Sequence, residues 1–314
     1  MNKRDLLFNL LDPNGKPETV PAAFFLHFDR AFHAGQAAVD KHLEYFHYTG
    51  MDMLKIQFEL PFPMQPQIKT PDDWSTMPFF KLDHYEPMLK VVEELVKAAK
   101  KDALVILTLY SPFMLCNDMV GMETVTRHVQ ENPAAFKAGI TRVTESLLQF
   151  VRACIRLGLD GFYTSTQGGE RDRLPDPALF DACVRPYDLV LMNEINQNCA
   201  FNILHVCDYW MPYSDVTRFK DYPGQVVSTS LDLADGRHMR AGEVAKLFGR
   251  PFMGGLERKG VIATGTPDQI RQEVRAFLQS APDRTILGAD CTIPPTTSWD
   301  SLRVAIQTAH EYRS

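Results

Sequence analysis

Residues 85–110, YEPMLKVVEELVKAAKKDALVILTLY, contain the pattern that decides the fold. In Tyr85–Lys100 the apolar residues recur with helical spacing and share one face of a helix. Ala103–Tyr110 is a short and nearly continuous apolar run, which is typical of a strand that is covered on both faces. A helix next to such a strand is the repeating unit of a parallel α/β fold.

The same alternation of strand and helix continues toward both ends of the chain. It predicts eight strands, each followed by a helical segment or a loop, which is the number in a (β/α)8 TIM barrel. An open, doubly wound sheet of eight strands is the alternative. Because no internal repeat or low-complexity linker interrupts the pattern, we expect residues 1–314 to form a single domain. The predicted strands are Ala22–Phe28, Met53–Glu59, Ala103–Tyr110, Gly161–Thr166, Phe201–Cys207, Gln225–Leu231, Pro251–Glu257 and Thr285–Cys291.

The first residues are expected to add a helix to the barrel. Lys3 and Arg4 precede an apolar run that Asn9 interrupts and that residues 12–15, DPNG, bring to an end. This run is too short for the core of a signal peptide and lacks a small-residue cleavage site. We therefore interpret it as an amphipathic helix that forms an N-terminal helical extension.

The composition argues against several classes of protein. The chain has 314 residues, of which 45% are hydrophobic and 23% are charged, so it can bury a large core. Its net charge is −6 and it has no dense Lys/Arg run, which argues against a nucleic-acid partner. No apolar stretch approaches the ~18 residues of a membrane span, and the six cysteines lack the spacing of a disulfide framework. We expect a cytoplasmic protein with reduced thiols and no membrane partner.

Polar and reactive residues collect at the predicted carboxyl ends of the strands. In a barrel these ends meet at one face, where enzymes of this architecture build their sites. The longest irregular segments, Leu60–Asp83 and Gly168–Leu174, also follow strand ends. We therefore predict one functional face, with candidate residues His27, Arg30, Gln57, Glu59, Tyr110, Gln167, His205, Cys207, Asp232, Glu257 and Cys291.

The triplet His205-Val206-Cys207 is the sharpest of these features. Residues two apart on a strand point to the same side, so the imidazole and the thiol are expected to project together. Both are ligands that zinc prefers, and Cys291 at the end of the last strand is the natural third ligand. The alternative is a buried histidine with two cysteines that act as small hydrophobic residues.

Three segments carry a resemblance to a known family. They are residues 286–297, ILGADCTIPPTT, with the following Leu302 and Ala305; residues 204–207, LHVC; and residues 264–270, TGTPDQI. Together they resemble the uroporphyrinogen decarboxylase superfamily, whose closing strand runs into I-P-P-x-T-P and a final helix. The resemblance implies a (β/α)8 barrel, in agreement with the strand count.

This superfamily has two main chemistries, and the sequence is closer to one of them. Its decarboxylases hold substrate carboxylates with an R-x-x-x-R pair after the first strand, but here Arg30 is followed four residues later by Ala34. The decarboxylase aspartate position holds Glu59, and Asp290-Cys291 stands where Gly-His is usual. The other branch contains zinc-dependent, cobamide-linked methyltransferases such as methylcobamide:coenzyme M methyltransferase. Their H-x-C pair and distant cysteine correspond to His205, Cys207 and Cys291. Cobalamin-independent methionine synthase resembles them more distantly.

The resemblance implies a function as well as a ligand set. A methyl group would move between a corrinoid, carried by a partner protein, and a small-molecule thiol that is activated as a zinc thiolate. The chain has no D-x-H-x-x-G cobalamin motif, so the corrinoid is expected to arrive with the partner. Relatives are commonly homodimers, which leaves a homodimer open. The alternatives are a decarboxylase of a porphyrinogen or another carboxylate, and a relative that binds a ligand without turnover; Asp208 in place of the usual glycine is compatible with the latter.

The remaining candidates receive roles around this centre. Glu257 is a candidate fourth metal ligand, with Asp232 as the other choice. As catalytic residues we name Glu59, as a general acid or base, together with Tyr110 and Asp232. Ordinary roles as a loop carboxylate and a core tyrosine remain open for Glu59 and Tyr110. The predicted substrate-binding residues are His27, Arg30, Gln57 and Gln167, the last beside two glycines that allow close backbone approach.

Overall fold

The computed structural model describes residues 2–170 and 172–312. Its centre is a curved sheet of seven parallel strands that follow one another in chain order. The strands are β1 Met53–Ile56, β2 Leu104–Tyr110, β3 Gly161–Thr166, β4 Ile203–Val206, β5 Val226–Thr229, β6 Phe252–Leu256 and β7 Thr285–Ala289. The fold is therefore α/β and barrel-like, as the alternation of strand and helix predicts.

Helices cover the outside of this sheet. They are α1 Lys3–Leu11, α2 Gly35–Thr49, α3 Glu86–Ala99, α4 Pro112–Val120, α5 Met122–Glu131, α6 Pro133–Arg156, α7 Pro177–Cys183, α8 Arg185–Asn198, α9 Ala241–Phe248, α10 Val261–Thr264, α11 Pro267–Ser280 and α12 Trp299–Glu311. Short 3-10 helices span Arg30–Phe32, Pro71–Thr76, Leu82–Tyr85 and Thr217–Phe219. No helix within the described residues has the length and apolar character needed to cross a membrane.

The starts of two helices show why the sequence folds as it does. Thr266 accepts a hydrogen bond from the backbone N–H of Gln269, whose side chain accepts one from Thr266 in return. Asn132 caps α6 in a similar way through the N–H of Ala135. In each case a proline follows at the first helical position, where a missing N–H leaves no bond unmade.

The predicted first strand, Ala22–Phe28, does not form a continuous strand, so the count of eight is not confirmed. Ala22 pairs with Leu287 and Leu26 with Ile293, each as an isolated parallel bridge. Four residues separate the first partners of these bridges and six separate the second, so the register slips between them. Asp52 also donates its N–H to the carbonyl of Ala22, at 2.9 Å, so this segment lies between β1 and β7 and closes the sheet.

The amino ends of the strands are closed by α1. The Arg4 guanidinium donates to both carboxylate oxygens of Asp160, at 2.8 and 2.7 Å. The Lys3 ammonium bonds the carboxylate of Asp52 at 3.2 Å and the carbonyl of Met51 at 2.7 Å. The first residues therefore form a helix, which contacts the barrel through these charges, while its description as an N-terminal extension stays a prediction. The assignment of residues 1–314 to one domain stays a prediction.

Candidate metal centre

Three predicted ligands meet at the carboxyl ends of the strands. His205 lies on β4, Cys207 follows that strand directly, and Cys291 follows β7. One ligand atom from each lies within 4.8 Å of the others, and all three side chains are buried. The two sulfur atoms are 3.9 Å apart.

Backbone bonds hold the two cysteines in place. The N–H of Cys207 donates to the carbonyl of Thr166 at 3.0 Å, which continues the pairing of β4 with β3 by one residue. Asp290 donates its N–H to Leu256 on β6 at 2.9 Å, and its carboxylate accepts the N–H of Cys291 at 2.8 Å. After β7 the chain slips in register relative to the segment Ala22–Phe28, and the thiol of Cys291 points inward, toward Cys207.

The imidazole of His205 is oriented for a metal. Its Nδ1 lies 3.2 Å from the hydroxyl of Ser228 on β5, and its ring stacks on Tyr163 at a centroid distance of 4.9 Å. Its Nε2 is buried and has no hydrogen-bond partner in the described chain. A buried polar atom without a partner is costly, and a metal ion would supply one. With Nδ1–H donated to Ser228, Nε2 carries the free lone pair.

The geometry fits zinc. Tetrahedral coordination with Zn–S bonds of ~2.3 Å places two sulfur ligands ~3.8 Å apart, which is close to the observed separation. Two cysteines and one histidine leave the fourth position open, as in catalytic zinc sites. The hydrogen bond from Cys291, opposed by burial and aided by His205, lowers the pKa of Cys207 well below that of a free thiol.

A cavity of about 240 Å³ opens directly above the cluster. It brings together seven of the predicted residues, which come from six different predicted strands or strand ends. They are His27, Gln57, Tyr110, Gln167, His205, Cys207 and Cys291. The amide of Gln167 lies 3.6 Å from the sulfur of Cys207, and Met114 on α4 forms a small buried cluster with the two cysteines.

Glu59 does not line the cavity, but it contacts His27, which does. The carboxylate of Glu59 is 2.9 Å from His27 Nδ1, and the hydroxyl of Tyr110 is 3.4 Å from His27 Nε2. His33 lies 3.7 Å from the same carboxylate. Although burial alone would raise it, the bond from His27 and the nearby imidazoles hold the pKa of Glu59 below its usual value.

Besides Glu59, three predicted residues do not line the cavity. Asp232 is exposed and bonds His238 at 2.7 Å, because a short antiparallel bridge pairs these two residues outside the sheet. Glu257 is exposed as well, since β6 ends at Leu256 and the chain turns away toward α10. Arg30 lies exposed on the 3-10 helix after Phe28. The candidate fourth ligand Glu257 is therefore apart from the cluster of three.

Sequence reasoning missed Lys55. This residue is on β1, is only 6% exposed and lines the cavity. Its ammonium donates to Gln57 at 3.0 Å and to Thr108 at 2.7 Å, and burial lowers its pKa to about 7. A lysine inside the apolar run Met53–Ile56 was the available signal, because lysine is almost never fully buried without a purpose. Ser228, which orients His205, carried no comparable signal.

The described fold resembles solved structures of methyltransferases and methionine synthases. A methyltransferase from Methanosarcina mazei has 14% sequence identity and a TM-score of 0.73, and the match covers 99% of each chain. A putative vitamin-B12-independent methionine synthase from Listeria monocytogenes has 13% identity and a TM-score of 0.55, with 86% of this chain and 84% of that one covered. A B12-independent methionine synthase from Shewanella sp. W3-18-1, in complex with selenomethionine, has 13% identity and a TM-score of 0.51, with 94% and 92% covered. At these identities the likeness is one of fold.

The family assignment comes from the sequence. No curated protein matches the chain. The family model described as uroporphyrinogen decarboxylase (URO-D) matches residues 45–312, which contain every strand of the sheet and all three clustered ligands. The resemblance seen in the three sequence segments is thereby confirmed, and the chain belongs to the uroporphyrinogen decarboxylase (URO-D) family.

Proposed function

We propose that this chain is a zinc-dependent methyltransferase that moves a methyl group between a corrinoid on a partner protein and a small thiol. The observation that carries the proposal is the cluster of His205, Cys207 and Cys291 at the floor of a cavity, where His205 Nε2 has no hydrogen-bond partner among the described residues. The fold shared with the Methanosarcina mazei methyltransferase supports it. Arg30, the one cation at the expected decarboxylase position, is exposed and does not line the cavity, which disfavours the decarboxylase alternative.

The ligand set suits activation of a thiol. When bound, zinc lowers the pKa of a thiol that coordinates it, so that the thiolate persists at neutral pH. His205, Cys207 and Cys291 would hold the ion and leave one position for the substrate. Two cysteine thiolates balance the charge of a divalent ion, so a substrate sulfur beside them keeps its nucleophilic character.

We propose that His27, which lines the cavity, takes the proton that the substrate thiol loses. Its Nδ1 faces the Glu59 carboxylate, so the proton of the neutral ring stays on Nδ1, and Nε2, which the Tyr110 hydroxyl approaches at 3.4 Å, is the nitrogen that accepts another proton. The Glu59 carboxylate would stabilise the positive charge of the imidazole once His27 has taken the proton. Burial raises the pKa of Tyr110, so its hydroxyl stays protonated next to His27 Nε2 and can order a bound substrate.

The mouth of the cavity is the proposed contact for the corrinoid partner. Tyr209 and Trp210 line the cavity, yet they are 45% and 64% exposed. The two rings meet edge to face at 4.8 Å, and the Arg258 guanidinium lies over Tyr209 at 4.6 Å. Exposed aromatic rings beside a cavity suit a large flat ligand, and such residues are enriched in protein interfaces.

Metal content and methyl transfer test the proposal together. The wild type is compared with Cys207→Ser and Cys291→Ser, and with Cys199→Ser as a control because that thiol is buried outside the cluster. We expect about one zinc per chain in the wild type and the control, and loss of zinc in the other two variants. The wild type and control should also methylate a thiol from methylcobalamin.

Two results would contradict the proposal. Wild-type protein purified without chelator that holds no zinc, and gains none on titration, would remove the metal and favour the decarboxylase alternative. A protein that holds zinc through these ligands but exchanges no methyl group with thiols would point to the ligand-binding relative.

A further inference from the structure

Lys55 is a buried amine whose pKa is lowered to about 7 by burial, and the described chain supplies no counter-ion for its protonated form. No carboxylate in the described part of the chain forms an ion pair with its nitrogen, and its two hydrogen-bond acceptors, on Gln57 and Thr108, are neutral. The ammonium also lies 4.4 Å from the ring centroid of Phe25 and 4.8 Å from that of Tyr163. A buried charge without a partner is expensive, so its retention in a cavity wall points to an anion that binds there.

The metal ligands do not supply that anion. Cys291 and Glu59 act on Lys55 through charge at a distance, and neither forms a hydrogen bond with it in the described structure. The charge of two thiolates is balanced once a divalent ion is bound between them. The positive charge of Lys55 is therefore left for the ligand of the cavity.

Gln57 completes a subsite beside Lys55. Because an ammonium only donates, the amide oxygen of Gln57 must face Lys55, and the amide N–H groups are turned away from it. No acceptor for these N–H groups is found among the described residues, although Gln57 is 2% exposed and lines the cavity. The third N–H of Lys55 likewise has no acceptor there. One ammonium and one amide, both with free donors, are suited to the two oxygens of a carboxylate.

We propose that Lys55 and Gln57 bind a carboxylate of the small-molecule substrate, so that the substrate is an anionic thiol or its methylated form. The part of this inference that makes the ligand a thiol substrate rests on the proposed function. The ring of Tyr163 contacts both Lys55 and His205, so the subsite and the metal ligands border the same short cavity. A molecule with sulfur at one end and a carboxylate a few bonds away spans the two.

Paired ligands test the subsite in the zinc-loaded wild type. Dissociation constants are measured by titration calorimetry for 3-mercaptopropionate and 3-mercaptopropionamide, which differ only in charge at the far end. We expect the carboxylate to bind at least about tenfold more tightly, which is the scale of one charge-assisted hydrogen bond. Equal dissociation constants for the two thiols would overturn the proposal without recourse to any variant.

Variants then assign the preference to Lys55. Lys55→Met keeps the length of the side chain and removes the charge, and it should abolish the preference for the carboxylate. Lys97→Met removes an exposed lysine of α3 and should leave the preference intact. Thermal unfolding checks that both variants are folded, and a folded Lys55→Met protein that keeps the preference would also overturn the proposal.

A ligand without sulfur separates this inference from the proposed function. Propionate and propionamide are titrated into wild type, Lys55→Met and the zinc-free protein kept reduced. A Lys55-dependent preference for propionate, without any thiol methylation, would support the subsite while the methyltransferase proposal fails. Methylation of neutral thiols as fast as anionic ones would leave the methyltransferase proposal standing and overturn the subsite.

Discussion

The two ends of the barrel treat buried charge in opposite ways. At the amino end, Asp160 accepts two bonds from Arg4 and one from the N–H of Val105, and Asp52 is bonded by Lys3 and His310. At the carboxyl end, the buried Nε2 of His205 has no partner in the described chain, and the Lys55 ammonium pairs with no carboxylate there.

This difference separates stability from function. A buried charge with all its partners in place holds elements together, and removal of one partner is strongly destabilising. Donors and acceptors left open in a cavity wall lower the stability of the empty fold but are available to a ligand. We therefore expect changes at the amino end to alter the free energy of unfolding, and changes at the carboxyl end to alter binding.

The largest effect is expected at Asp160, which is the sharpest test of this division. Asp160→Ala leaves the Arg4 guanidinium and the Val105 N–H without their acceptor. We expect a loss of roughly 3–5 kcal/mol in the free energy of unfolding, measured by urea denaturation. The zinc content of the folded fraction should not change. Glu194→Ala, which breaks the exposed pair with Arg152, is the control and should lose less than about 1 kcal/mol.

Asp188 on α8 gives an intermediate case, because it is buried without a cation. Its Oδ2 accepts bonds from Thr166 at 2.6 Å and Tyr222 at 3.2 Å, while its Oδ1 has no partner in the described structure. Burial raises its pKa to about 7. Since the folded state holds this proton more tightly than the unfolded chain does, stability should be lost as pH rises from about 4 toward about 7.

Asp188→Asn removes this titration and keeps an acceptor for Thr166 and Tyr222. Between pH 5 and pH 7.5 the wild type should lose on the order of 2–3 kcal/mol relative to the variant. Urea denaturation of both proteins at the two pH values measures the difference. Parallel pH profiles for the two proteins would show that Asp188 does not titrate in this window.

At the carboxyl end a smaller change should act on binding alone. Ser228→Ala removes the hydroxyl that orients His205 Nδ1, and loss of such a partner typically weakens metal binding by ~10–100-fold. Competition with a zinc chelator measures the effect. Ser230→Ala is the matched control, since within the described part of the chain that hydroxyl bonds only to the backbone of Asp232 in its own loop. Equal zinc affinities for the wild type, Ser228→Ala and Ser230→Ala would contradict the expectation that changes at the carboxyl end alter binding.

The smallest effect is expected at Asp232. Its bond with His238 is exposed and lies outside the cavity, so Asp232→Ala should change the free energy of unfolding by less than about 1 kcal/mol. Zinc content and thiol methylation should match the wild type. A loss of methylation at unchanged stability would restore the catalytic role that its place in the sequence suggested.

The sequence predicted the parts of this molecule that local pattern controls. Strand runs such as Leu104–Tyr110 were found because buried parallel strands are continuous apolar segments. His205 and Cys207 share a side because the alternation along a strand requires it. Several predicted strands ran too far, however: the prediction Met53–Glu59 ends at Ile56 in the structure, because Gln57 leaves the sheet to line the cavity.

Features that depend on distant partners were not predictable in this way. Glu257 is the first residue after β6 and is exposed, whereas Cys291 is the second residue after β7 and is buried in the cluster. The difference comes from Asp290, which bonds β6 and redirects the chain. Lys55 was missed because its burial depends on Phe25, Thr108 and Tyr163, which lie on three other segments.

The closure of the sheet by Ala22 and Leu26 sets an order of events during synthesis. The bridges pair Ala22 with Leu287 and Leu26 with Ile293, so the segment Ala22–Phe28 cannot pair with β7 until residues 287–293 have been translated. The same holds for the metal centre, because 84 residues separate Cys207 from Cys291. At about 5–20 residues per second, a nascent chain carries an incomplete ligand set for ~4–17 s. On the proposed function, we therefore expect zinc to bind late, after the segment that carries Cys291 has been translated.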